Sequence, residues 1–258
     1  RNCMVGGKEL QEKLEHTLTQ AGVDYRKVIS EFGQVPASED RRSGTRFILR
    51  DHVRGLILSF LSNQRPWGQI AKNLEVISRI FFAYDPSQVA NTDPTVFVGE
   101  LCAIGCGNRA ITKQMSALRQ NISTLKRIKT EHGSVDAFVT SRSPHEIAES
   151  LSKPGDYKLR QIGYALALEY LRNVGIEAIK PDLHIRRVLS GERLGFLDHY
   201  LSEEEAYHVL MDLSRHAGCN PVYLDNLLWL FCAQDYAGIC GATPKCGECE
   251  FQNVCNYP

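Results

Sequence analysis

Four of the nine cysteines, Cys240, Cys246, Cys249 and Cys255, crowd into the segment C-GATPK-C-GE-C-EFQNV-C over residues 240–255. Thiolates this closely spaced cannot all pair as disulfides without strain, but they can surround one compact metal centre. Cys246 and Cys249, with two residues between them, form the tight knuckle of zinc and iron–sulfur sites. Pro244 and Gly247 supply turn geometry for a backbone that curls around such a centre. A disulfide-stapled tail is the plainer alternative, but it requires an oxidising compartment, and no signal-peptide pattern opens the chain. Cys3, Cys102, Cys106, Cys219 and Cys232 read as buried small apolar side chains, although Cys232 is near enough to compete with Cys240 as first ligand.

With 258 residues, 43% of them hydrophobic, the chain can bury a large core. Its formal net charge is zero, so an anionic partner must be met by a local patch or by helix N-termini. No apolar run reaches the about 18 residues of a membrane span, and an intracellular protein, not secreted, with no membrane partner is expected. Helical spacing dominates: over 8–32 with a break at Gly22, over 47–62, and at about 69–83, 94–103, 109–128, 135–140 and 144–152. Ser143, Pro144 and Glu146 open the last of these with a capping box, and Ser202 with Glu205 repeats the device. A polar stretch from Pro36 to Gly44 reads as a separator. An all-α protein of roughly ten helices is expected, its cysteine loop following a helix at about 222–235.

Two stretches between these helices carry chemistry. Leu159 to Ala167 reads L-R-Q-I-G-Y-A-L-A, a turn opening a helix near Ile162-Gly163, where exposed N–H groups and the helix dipole can hold a phosphate. Further on, Pro181-Asp182-Leu-His184-Ile-Arg186-Arg187 opens another helix. Aspartate is among the best N-cap residues, and taken alone Asp182 reads as a cap.

Taken in order, these segments resemble the helix-hairpin-helix (HhH-GPD) DNA glycosylases that carry an iron–sulfur cluster, the endonuclease III and adenine glycosylase group. The family's cluster pattern, C-x6-C-x2-C-x5-C, differs here by one residue in the first gap, which keeps zinc open on chemistry alone. Leu159 to Ala167 resembles the hairpin L-P-G-[VI]-G-x-K-x-A, and Asp182, His184, Ile185 and Arg187 resemble D-x-H-[IV]-x-R. Leu61-Ser62-Asn63-Gln64 resembles an L-S-x-Q segment whose glutamine borders the extruded base. Ile104-Gly105-Cys106-Gly107-Asn108 resembles the I-G-x-x-N loop that enters the duplex.

The resemblance implies two helical domains: a central barrel at 46–166 ending in the hairpin, and a terminal domain of 1–45 plus 167–258 with the cluster loop at 240–255. The DNA and the base pocket are expected in the cleft between them, and a monomer is expected. It implies Asp182 as the catalytic carboxylate, a base pocket with Gln64, Tyr164 and Ala165, and a 4Fe–4S cluster on the four cysteines. Gln161, Ile162, Gly163, Cys106, Asn108, Arg109, Lys113, Arg186 and Arg187 become DNA contacts, each arginine and lysine reading equally as a solvated helix face. Trp67 reads either as a stacking partner for a base or as core. Ala165 stands where bifunctional members have a Schiff-base lysine, and an alanine forms no imine. The expected activity is therefore monofunctional: hydrolysis of the N-glycosidic bond of a damaged or mispaired base in double-stranded DNA. A bifunctional glycosylase/AP lyase and a non-catalytic DNA-structure-binding protein are the rivals.

Overall fold

The computed structural model describes residues 5–63 and 66–257. Among them lie fifteen α-helices, two short 3-10 segments and no strand, so the all-α expectation holds with more, shorter helices than the ten read from periodicity. The stretch at 69–83 divides into Trp67–Lys72 and Leu74–Ile80, followed by a turn in which Phe82, Ala83 and Tyr84 all adopt left-handed φ of 49° to 63°. The polar stretch expected to separate helices is itself helical, Gln34–Arg42. Its amphipathicity is weak, and distant partners hold it: Arg41 donates to the Val174 carbonyl at 2.6 Å and pairs with Asp136 at 2.6 Å. Burial would raise the Asp136 carboxyl, but hydrogen bonds from His52 and Arg41 outweigh it and hold it at about 2.

No helix is long and apolar enough to cross a membrane. Two compact units emerge from the packing, one of residues up to Val35 together with those from Glu177 onward, the other Pro36–Ile176. The inner unit thus starts at 36 and ends at 176, where 46 and 166 were expected. The reason lies in the helix Tyr164–Asn173, which packs along the buried helix Leu49–Leu61 and donates from Asn173 to the Gly55 carbonyl at 3.1 Å. That helix cannot leave the inner core without exposing Ala167, Leu168, Tyr170 and Leu171. In the outer unit, Gly7–Gln20 packs on Glu203–Ala217 and Pro221–Cys232, and Leu183–Leu189 packs on the same two helices.

Candidate functional site

The cysteine loop grows out of the helix Pro221–Cys232, which Asn220 caps and Pro221 begins. The amides of Ala237 and Ile239 fold back onto the Leu230 and Phe231 carbonyls, which turns the chain sharply at the helix end. Lys245 N–H then reaches the Ile239 carbonyl at 2.8 Å, and Cys246–Glu248 form one 3-10 turn. Phe251 plugs the loop into the core, fully buried and edge-on to Phe231 at 5.8 Å. From the first helix, Lys13 Nζ donates to the Glu250 carbonyl at 3.0 Å and His16 meets the Glu250 carboxylate at 3.0 Å.

Cys240, Cys246, Cys249 and Cys255 all line one cavity of about 240 Å³, with Arg193, Pro244, Gln252 and Tyr257. Cys232 does not line it; its buried thiol hydrogen-bonds with Cys240. Burial pushes the Cys249 thiol up to about 11 and raises Cys255 as well. Cys240 goes the other way, drawn down by the hydrogen bond from Cys232 and the nearby Arg193 and Arg187 charges. The donor set fits a thiolate-bound metal centre. Groups bringing three ligand atoms within 4.8 Å of one another do not include these cysteines among the described residues.

Asp182 stands at the start of Leu183–Leu189, in the same unit. Its Oδ1 accepts from the amides of His184 at 2.9 Å and Ile185 at 3.1 Å, the cap that its residue type favours. One oxygen is thereby fixed, while among the described residues Oδ2 has no hydrogen-bond partner. Arg186, expected at phosphate, donates to the Leu201 carbonyl at 2.7 Å and lies over Tyr200 at 4.8 Å. The Arg187 charge is near enough to help lower the Cys240 thiol pKa.

In the inner unit, Pro144–Ser152 and Tyr164–Asn173 pack as a hairpin. Asn121, buried on the long helix Ile111–His132, grips its turn from two sides: Nδ2 donates to the Arg160 carbonyl at 3.0 Å and Oδ1 accepts the Arg160 amide at 2.7 Å. Lys158 Nζ bonds the Ile162 carbonyl, and burial lowers its pKa. Gln161 adopts φ 60° at the position that the family pattern gives to glycine. Gln161 and Gly163 are exposed and Ile162 is buried; no acceptor holds these three amides among the described residues. Tyr164 bonds His145 Nδ1 through its hydroxyl at 2.7 Å, and both it and Ala165 are half-buried.

The expected loop at 104–109 is mixed. Cys106 is buried, and Asn108 donates to the Phe60 carbonyl at 2.9 Å and Gln114 at 3.0 Å, so Gly105 and Arg109 are its exposed members. Lys113 is exposed on the helix that follows, and Trp67 is half-buried at a helix start. Cys102, expected inside, is exposed, whereas Cys219 is half-buried. Gln64 and Cys3 lie outside the described residues. Sequence reasoning missed Arg193 in the cavity wall and Asn121 under the hairpin; the only signal for the first was a basic residue in the G-E-R-L-G turn after the aspartate motif.

An all-helical chain with a hairpin, a capping aspartate and a terminal cysteine loop in this order has the endonuclease III-like helix-hairpin-helix fold. The solved structure of a trapped endonuclease III–DNA covalent intermediate, an estranged-adenine complex, superposes with a TM-score of 0.56. The match covers 98% of this chain and 96% of that one at 16% identity. No protein-family model matches the chain, and no curated protein matches it.

Proposed function

We propose that this protein is a monofunctional DNA glycosylase that excises a damaged or mispaired base. The observation that carries the reading is Asp182, whose Oδ1 is fixed by two amides while Oδ2 remains available for chemistry. A base inside a duplex is out of reach, so the nucleotide must be extruded at a cost of a few kcal/mol, less for a damaged or mispaired base. As the N-glycosidic bond breaks, positive charge grows on the sugar. A fixed carboxylate stabilises that charge and orients or deprotonates a water molecule that attacks the sugar carbon, releasing the base and leaving an abasic site. The amides of Gln161, Ile162 and Gly163 would hold a backbone phosphate, which positions the duplex without reading sequence. Gln64 and Tyr164 belong to the base pocket in this reading, and Gly105, Arg109 and Lys113 offer the free contacts of the inner unit.

The four thiolates would hold a 4Fe–4S cluster, which when bound cross-links the loop 240–255 and leaves base release to Asp182. A broad absorbance band near 400 nm in the purified protein separates that cluster from colourless zinc.

Ala165 supports hydrolysis over covalent catalysis. A second reading has one observation in its favour: burial lowers the Lys158 pKa, and a deprotonated amine is what imine formation needs. The DNA in the superposed structure is held in a covalent intermediate, so the comparison leaves both readings standing. Borohydride trapping distinguishes them, because a covalent protein–DNA adduct overturns the hydrolytic reading. Asp182→Asn should keep lesion-duplex binding and lose base release by about 10²–10⁴-fold in single-turnover assays. Unchanged release from a panel of single-lesion duplexes sinks the enzyme reading.

A further inference from the structure

We propose that Arg193 is a positioning residue for the metal cluster, the buried counter-charge that keeps the cluster bound and its reduction potential raised; this rests on the cluster reading above. Arg193 is only 6% exposed and lines the cysteine cavity. A buried guanidinium is costly unless an anion compensates it. Among the described residues no carboxylate pairs with Arg193 and its Nε has no acceptor; the guanidinium meets the Glu192 carbonyl at 3.3 Å, the Cys240 sulfur and the Tyr257 ring, none of them a full negative charge while the thiols are protonated. The thiolates of the cavity are the remaining source of negative charge.

The surrounding backbone is built to aim this side chain. Gly195 takes φ 68°, and a Cβ there would lie 2.6 Å from Asn256 Nδ2. A Cβ on Gly191 would lie 2.6 Å from the Asp198 backbone. Across the turn, Asn256 N–H donates to the Arg193 carbonyl at 2.7 Å and Asn256 Nδ2 to the Gly191 carbonyl at 2.8 Å. The residue after Asn256, Tyr257, then brings its ring to the guanidinium, with Cζ 3.8 Å from the ring centroid. The tail after Cys255 thus holds the arginine at the cavity wall, which Tyr257 lines beside it. Arg187 also lies towards Cys240 but is half-buried, so its charge is better screened.

A fixed positive charge favours whichever state of the cluster carries one more electron. Arg193→Met should therefore lower the midpoint measured at an electrode, by about 59 mV for a tenfold change in a one-electron equilibrium, and should lose iron and sulfide several-fold faster during gel filtration. Arg193→Lys, which keeps the charge, should recover most of both quantities. Equal midpoint and iron retention in wild type and the methionine variant overturn the proposal, as do equal losses in the lysine and methionine variants, which point to packing. If wild-type protein purifies without iron and sulfide, the cluster reading itself has failed, a result separable from the others.

Discussion

The hairpin turn is held by side chains from its own unit: Asn121 satisfies the amide and carbonyl of Arg160, and Lys158 holds the Ile162 carbonyl. The cysteine loop has backbone turns and the Phe251 plug, yet its four cavity-lining thiols converge without closing a cross-link of their own. Two turns of similar size therefore differ in what completes them. The hairpin carries its rigidity in the sequence and presents a finished set of amides. In the proposed reading a metal centre would complete the loop, so metal affinity and folding of that unit would be one equilibrium.

Stripping the metal is the largest test of this contrast. Removal by chelation or oxidation should destabilise the outer unit by at least about 4 kcal/mol, the size of a linkage term at a thousand times Kd. Hydrogen exchange should then rise over 239–257 and stay slow over the inner helices Ile111–His132 and Tyr164–Asn173. Equal loss of protection in both units would break the comparison. Asn121→Ala should move the effect to the hairpin: two hydrogen bonds vanish from a buried site, a cost of about 2–3 kcal/mol, read as a Tm lower by roughly 4–10 °C with the cluster absorbance intact. A smaller change of opposite sign is expected at Gln161. Its left-handed φ costs about 1–2 kcal/mol, part of which glycine returns as chain entropy, so Gln161→Gly should stabilise by about 0.5 kcal/mol in urea titrations.

Much of this architecture is visible in the residues themselves. The cysteine spacing, the capping boxes at Ser143–Glu146 and Ser202–Glu205, and the cap at Asp182 are local devices, and each forms as its residue types dictate. Asp182 shows that a cap and a candidate catalytic group need not compete, since one carboxylate has two oxygens. What escaped sequence reading depends on partners far along the chain. The helix Gln34–Arg42 has little periodicity and is held through Arg41 by Val174, 133 residues away. Nothing local marks Asn121 as a clamp, because its partner, Arg160, lies 39 positions on. The left-handed turn at Phe82–Tyr84 contains no glycine to announce it, and Phe81, stacked on Phe97 at 4.6 Å, anchors it by packing. Arg193 belongs to the same category, because only the fold brings it beside the thiols and Tyr257.

The bond from Lys13 to the Glu250 carbonyl joins positions 237 residues apart. At about 5–20 residues per second, a ribosome needs roughly 10–50 s to deliver the second partner after the first. During that interval the inner unit acquires all its residues and can fold, while the opening helix waits for Glu203–Ala217 and Pro221–Cys232 to cover Leu10, Leu14 and Leu18.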